Sequence, residues 1–161
     1  MEDIIELATR VGHALKTHGL MLATAESCTG GGVAQAVTEI AGSSEWFERG
    51  FVTYSNAAKA SMLGVPEDLL NRHGAVSEEV AGAMACGAVA NSRAQVALST
   101  TGIAGPGGAV PGKPVGTVCF GWSMGSRTIV ERLVFAGDRH AVREQSVAHA
   151  LRRLLRFIEA E

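Results

Sequence analysis

Ser27, Lys59 and Tyr54 are the side chains of this sequence whose surroundings suit covalent hydrolysis. Ser27 lies in Thr24-Ala25-Glu26-Ser27-Cys28-Thr29-Gly30-Gly31-Gly32. That stretch follows the apolar run Leu20-Met21-Leu22-Ala23, which reads as a short buried strand, and precedes a segment to Ile40 whose apolar residues Val33, Val37 and Ile40 recur with a helical period. The serine hydroxyl is therefore expected at a turn from strand into helix, near the N-cap. Unpaired backbone N–H groups and the positive end of the helix dipole at such a place suit a phosphate or a developing oxyanion. The chain holds three lysines and one tyrosine, and Lys59 and Tyr54 fall together after the strand-like Phe51-Val52-Thr53-Tyr54.

A serine hydroxyl is a poor nucleophile until a base takes its proton, and a neutral lysine can do so where burial lowers its pKa. Bringing that pKa from about 10.4 to about 8 needs roughly 3 kcal/mol of differential interaction, within reach of a largely buried amine. Tyr54 would orient the lysine or relay a proton, and no histidine or metal is required. Other readings stay open at this point. Ser27 has the composition of a plain N-cap, Glu26 could pair with Lys59 and hold it charged, and Cys28 at a helix start is a rival nucleophile. Gly30, Gly31 and Gly32 each cost about 1 kcal/mol relative to alanine within a helix. They admit either a ligand to the backbone or a helix packed tightly on its sheet.

The elements that must hold these residues follow from periodicity and punctuation. Ile4, Leu7, Ala8, Val11, Ala14 and Leu15 share one helical face ahead of Gly19. Ser55-Asn56 caps a helix from Ala57 to Leu63, Pro66 opens another, and Ser77 caps a helix of small residues from Glu78 to about Asn91. Gln95 to Thr100 is a third strand, feeding a glycine- and proline-rich loop over 101–114 of the kind that often carries function. Two further runs, 115–122 and 128–135, read as a hairpin, and Asp138 caps a last helix with Val147, Leu151, Leu154 and Ile158 on its buried stripe. The expected architecture is a three-layer α/β/α sandwich with a mixed five-stranded sheet, one strand antiparallel. Ligands in such sheets gather at the carboxyl ends of the parallel strands, which brings the loops after Ala25, Tyr54 and Thr100 together.

Length and composition set the outer bounds. With 161 residues, 47% of them hydrophobic, the chain is expected to form one domain over 1–161. A formal charge of −2 argues against a nucleic-acid partner, and the acidic start and the lack of a long apolar run argue for a cytoplasmic protein that neither crosses a membrane nor carries a signal peptide. Cys28, Cys86 and Cys119 form no CxxC pair, so neither a disulfide framework nor a metal site is expected. The five histidines show no ligand spacing and are expected at the surface or at caps. Small α/β domains rich in apolar surface often dimerise, so a homodimer or higher homo-oligomer is expected.

Five stretches taken together resemble the successive motifs of the CinA C-terminal domain family: Thr24 to Gly31, Gly50 to Asn56 with Lys59, Gly74-Ala75-Val76-Ser77, Gly102 to Gly108, and Lys113 to Val118. They run in order over nearly the whole chain, with a departure at Ala109-Val110-Pro111-Gly112, where the family is more polar. Stand-alone members of that family include nicotinamide-nucleotide amidases. The resemblance implies hydrolysis of the carboxamide of nicotinamide mononucleotide to nicotinate mononucleotide and ammonia, without a cofactor, in NAD recycling. By motif position it implies Ser27 as nucleophile and Lys59 as base, with Tyr54 alongside. It also implies that activities belonging to the further N-terminal domain of larger members are absent. On this reading the substrate carbonyl faces the turn at Cys28, Thr29, Gly30 and Gly31. Thr29, Arg143 and the backbone of Thr101, Gly102, Ile103, Ala104 and Gly105 are the candidates for holding the phosphate. A non-catalytic nucleotide-binding or interaction module is the alternative.

Overall fold

A computed structural model describes residues 3–160, so Met1 and Glu2 of the acidic start lie outside the described residues. The elements in chain order are α1 (Ile4–Thr17), β1 (Leu22–Glu26), α2 (Gly32–Thr38), β2 (Phe47–Val52), α3 (Asn56–Leu63) and α4 (Glu67–His73). They continue with α5 (Glu78–Ala90), β3 (Val96–Gly102), β4 (Thr117–Met124), β5 (Arg127–Val134) and α6 (Arg139–Glu159). The sheet order is β2-β1-β3-β4-β5. β1 pairs in parallel with both β2 and β3, whereas β4 runs antiparallel to β3 and β5, so β4 is the one reversed strand. Helices α1, α2 and α6 cover one face over Leu22, Leu98, Phe120 and Trp122. Helices α3, α4 and α5 cover the other over Ala23, Ala25 and Ala97, and the three-layer mixed α/β architecture is the one the sequence predicts.

Several boundaries move, each for a local reason. β1 runs to Glu26, past its expected apolar end, because Thr24, Ala25 and Glu26 pair on both sides, with Gly50 to Val52 and with Leu98 to Thr100. Trp46 closes a 3-10 turn over Ser43–Glu45, and Phe47 begins β2. Trp46 is buried against α1, where a Cβ on Gly12 would stand 2.5 Å from its ring. Pro66 is the N-cap of α4 and not its first residue. His149, expected at the surface, packs its ring edge-on to Phe120 at 4.8 Å between centroids and pairs with Glu131. Among the described residues no helix is long and apolar enough to cross a membrane. Among the described residues no cluster of ligating side chains suits a metal ion either.

The parallel register brings three strand ends to one edge of the sheet. Glu26 stands beside Val52 and Thr100, the Thr53 N–H donates to the Glu26 carbonyl at 2.8 Å, and the Ser27 N–H donates to the Thr100 carbonyl at 2.9 Å. The chain leaves β1, β2 and β3 within one hydrogen-bonded frame, the place where open α/β sheets put their ligands.

Candidate active site

Lys59 is held in place by the start of α3. Ser55 accepts from the Ala58 N–H and caps the helix, so Lys59 sits in its first turn with its side chain directed back under the end of β1. The amine is 1% exposed. Its Nζ lies 3.1 Å from Ser27 Oγ and donates to the Thr53 carbonyl at 3.1 Å. Burial is the main cause holding the Lys59 pKa below the ordinary amine value, because the charged form loses its hydration. An opposing pull from Cys28 requires a thiolate, and burial raises that thiol to about 12, so Cys28 is neutral at ordinary pH. The geometry therefore puts an amine with a weakened hold on its proton within hydrogen-bonding distance of a serine hydroxyl.

Glu26 makes no bond to Lys59. Its carboxylate, buried completely, accepts from the Val33 N–H at 2.8 Å, the Ala34 N–H at 3.0 Å and the Thr29 hydroxyl at 2.6 Å. It thereby fills the N-terminus of α2 with the negative charge that the dipole favours. This corrects two expectations. Ser27 is not the N-cap, which is Gly31, and the first turn of α2 is not left open for an anion. The Gly30 and Gly32 amides close the turn onto the Ser27 and Thr29 carbonyls, whereas the Cys28 and Thr29 amides make no backbone hydrogen bond among the described residues.

Packing accounts for Gly30 and Gly32, and a φ of +98° for Gly31. Gly30 has φ +58° and a Cβ there would lie 3.3 Å from the Arg143 guanidinium; one on Gly32 would meet Val147 at 3.1 Å. Residues 143 and 147 are one turn apart on α6, which therefore lies directly against the turn. The close neighbour is α6, where the packing reading expected the sheet.

A cleft of about 280 Å³ opens over the amine and hydroxyl. Ser27, Cys28, Tyr54, Lys59 and the backbone of Thr101, Gly102, Ile103, Ala104 and Gly105 line it, as do Asn56, Ala75, Val76 and Arg139. Thr29, Gly30, Gly31 and Arg143 are not among its lining. The Thr29 hydroxyl is committed to Glu26 and Thr100. Arg143 donates to the Cys28 and Thr29 carbonyls and, with Thr29, borders a separate groove rather than this cleft. Tyr54 is 63% exposed, and its hydroxyl accepts from Arg139 at 3.0 Å; the Thr53 carbonyl is what steadies Lys59. Arg139 also donates to the Gly105 carbonyl at 2.8 Å, joining the start of α6 to the two loops at the cleft mouth.

The 101–114 loop is anchored despite its composition. Val110 and Lys113 pair through two backbone bonds, the Lys113 amine donates to the His73 carbonyl at 2.7 Å, and Thr101 donates to the Ala75 carbonyl at 2.8 Å. These contacts draw the motif residues after β3 onto the end of α4 and the segment leading into α5.

The model of the CinA C-terminal domain matches residues 4–158 of this sequence. The chain belongs to the CinA C-terminal domain family. Two relatives bear the name nicotinamide-nucleotide amidohydrolase PncC. The one from Pseudomonas putida is 54% identical over 157 residues, covering 98% of each chain. The one from Escherichia coli K12 is 55% identical over 153 residues, covering 94% of this chain and 93% of the relative. Among solved structures, a CinA superfamily protein from Klebsiella pneumoniae superposes with a TM-score of 0.96 at 38% identity, covering 99% and 100% of the two chains. A competence/damage-inducible protein from Agrobacterium tumefaciens gives 0.93 at 46%, covering 96% and 95%. Within this CinA fold Cys28 is a buried thiol with no activating base. Cys28→Ser is therefore expected to keep turnover within about threefold of wild type, and mild alkylation to leave it unchanged, in an ammonia-release assay.

Reasoning from the sequence missed Arg139, the Glu26 cap and the Thr53 carbonyl. Arg139 directly follows Asp138, the N-cap of α6, so its place at a helix start was available as a signal. The other two join residues six to eight apart along the chain, beyond the reach of ordinary capping patterns.

Proposed function

We propose that this chain hydrolyses the carboxamide of nicotinamide mononucleotide to nicotinate mononucleotide and ammonia, through Ser27 as nucleophile and Lys59 as base. The observation that carries this reading is the 3.1 Å approach of a buried lysine amine to the Ser27 hydroxyl at the floor of the cleft. The amidohydrolase name borne by full-length relatives supports the substrate.

In the proposed course, the neutral Lys59 amine takes the Ser27 proton as Oγ attacks the amide carbon. The carbonyl oxygen gains charge beside the Cys28 and Thr29 amides, which are free to donate to it. The C–N bond breaks as Lys59 returns the proton to the departing nitrogen, giving ammonia and an acyl ester on Ser27. Water, deprotonated by the same amine, attacks the ester and releases the carboxylate and Ser27. On this reading the candidates for holding the phosphate are Arg139 and the Thr101–Gly105 backbone, which line the cleft. The product re-enters NAD synthesis on this reading.

Because Lys59 acts in its neutral form and its pKa lies below 10.5, kcat/KM is expected to rise with pH through that lowered value and then level off. Cys28, at about 12, adds no limb in the working range. A pH–rate profile checks this, and a flat profile over the same range contradicts it where chemistry limits the rate. The function itself is tested by incubating the pure, metal-free protein with nicotinamide mononucleotide. Formation of ammonia and nicotinate mononucleotide is expected, whereas calorimetric binding without product would make the chain a nucleotide-binding module.

A further inference from the structure

Arg143 lies behind the Ser27 turn, in a groove of about 320 Å³ between α1, α2 and α6 that also admits Thr29, Gly32 and Val147. Its Nε donates to the Cys28 carbonyl at 3.1 Å and its Nη2 to the Thr29 carbonyl at 3.3 Å, across more than a hundred residues of sequence. The carbonyl of Cys28 and the N–H of Thr29 belong to one peptide unit. In a trans peptide these two groups point in opposite directions, and the cis bond among the described residues is elsewhere, at Gly105-Pro106. A guanidinium that fixes the carbonyl on the α6 side thus turns the Thr29 N–H to the other side of the turn. The two carbonyls need donors at a fixed separation, which the planar fork of an arginine supplies and a lysine does not.

We infer that Arg143 is a positioning residue for the oxyanion site, clasping the Cys28 and Thr29 carbonyls so that the Thr29 amide faces the carbonyl oxygen of an acyl group on Ser27. This rests on the Ser27 hydrolase reading above. The absent side chain at Gly30 fits the same role, since a Cβ there would press on the clasping guanidinium at 3.3 Å. Arg143 touches no substrate on this account, and its contribution is electrostatic and remote.

The test uses Arg143→Ala and Arg143→Lys in the full chain, with two probes. With nicotinamide mononucleotide, kcat is expected to fall about 100-fold in both variants while KM stays within about twofold, the size expected for loss of one oxyanion donor. Millimolar guanidinium is expected to restore part of the kcat of Arg143→Ala. With a fluorophosphonate, which forms a P–O bond to Ser27 and expels fluoride, the labelling rate measured by mass spectrometry is expected to fall in parallel. Arg143→Lys keeps the aliphatic stem and the charge over the turn, so it carries the test if the alanine variant does not fold. A raised KM with kcat intact would show Arg143 binding substrate, and unchanged kcat and labelling would show it to be passive; either overturns the inference. If the wild type releases no ammonia yet is labelled on Ser27, the labelling arm alone decides. A wild type neither active nor labelled removes both the inference and the function it rests on.

Discussion

Ser27→Ala and Lys59→Met are each expected to lower ammonia release from nicotinamide mononucleotide by about 10⁴-fold or more, because the two side chains act as a unit and neither has a substitute. Ser27 carries the one hydroxyl hydrogen-bonded to the Lys59 amine among the described residues, and Lys59 the one buried amine lining the cleft among them. The double variant is expected to be no worse than either single one, since removing the base from an enzyme without a nucleophile changes nothing further. Lys59→Met has a second, separable signature. The folded-state pKa of Lys59 lies below that of the unfolded chain, so the unfolded state binds more protons between those two values and the wild type gains stability as pH rises through them. Below the folded value the cost of the buried charge is present in full, and above the unfolded value it is gone. The methionine variant is expected to lose that slope and to melt no lower than wild type on the acidic side. A variant that is inactive because it is misfolded would show neither feature.

Glu26→Ala is expected to be the most destabilising single change near the site, by about 3 kcal/mol or more. It leaves the buried Val33 amide and the part-buried Ala34 amide without their acceptor and takes from the Thr29 hydroxyl one of its two partners, and each orphaned group costs about 1–3 kcal/mol. Urea unfolding checks this through a lowered midpoint at an unchanged slope. The same variant separates two views of α2. If the carboxylate is the built-in occupant of this helix start, its removal weakens the turn and lowers turnover. Were the helix start instead the seat of the substrate phosphate, removing the negative charge would tighten nucleotide binding.

The layer order and the meeting of three strand ends were legible because they follow from strand count, the helical stripes and the place where the chain changes from crossover units to a hairpin. Ser27 and Lys59 could be placed together on that basis, since adjacent parallel strands β1 and β2 set their starting points side by side. The Glu26 cap was not legible. Its partners are seven and eight residues downstream, beyond the reach of ordinary capping patterns, and two left-handed glycines intervene. Nor could the sequence rank Arg139 against Arg143. Both lie near the start of the same helix, on one face and one turn apart, and only how far α6 is advanced along its axis decides that Arg139 lines the cleft while Arg143 holds the turn from behind.

The departure at Ala109 to Gly112 has a structural counterpart that its apolar composition does not suggest. The Val110–Lys113 pairing and the Lys113 bond to His73 carry the loop's order through backbone groups and one amine, which leaves its intervening side chains free to vary. Tyr54 is similar in kind. Its motif position stands beside Lys59 in the sequence, but the end of β2 turns its ring outward, where it meets Arg139 and not the amine.

The measurement closest to the centre of this account is the titration of the Lys59 side-chain nitrogen by heteronuclear NMR in the resting protein, set beside the pH–rate profile of the same sample. The account predicts a Lys59 midpoint below the ordinary amine value, coinciding with the rising limb of kcat/KM. A Lys59 that keeps its proton across the whole pH range in which ammonia is released would contradict it.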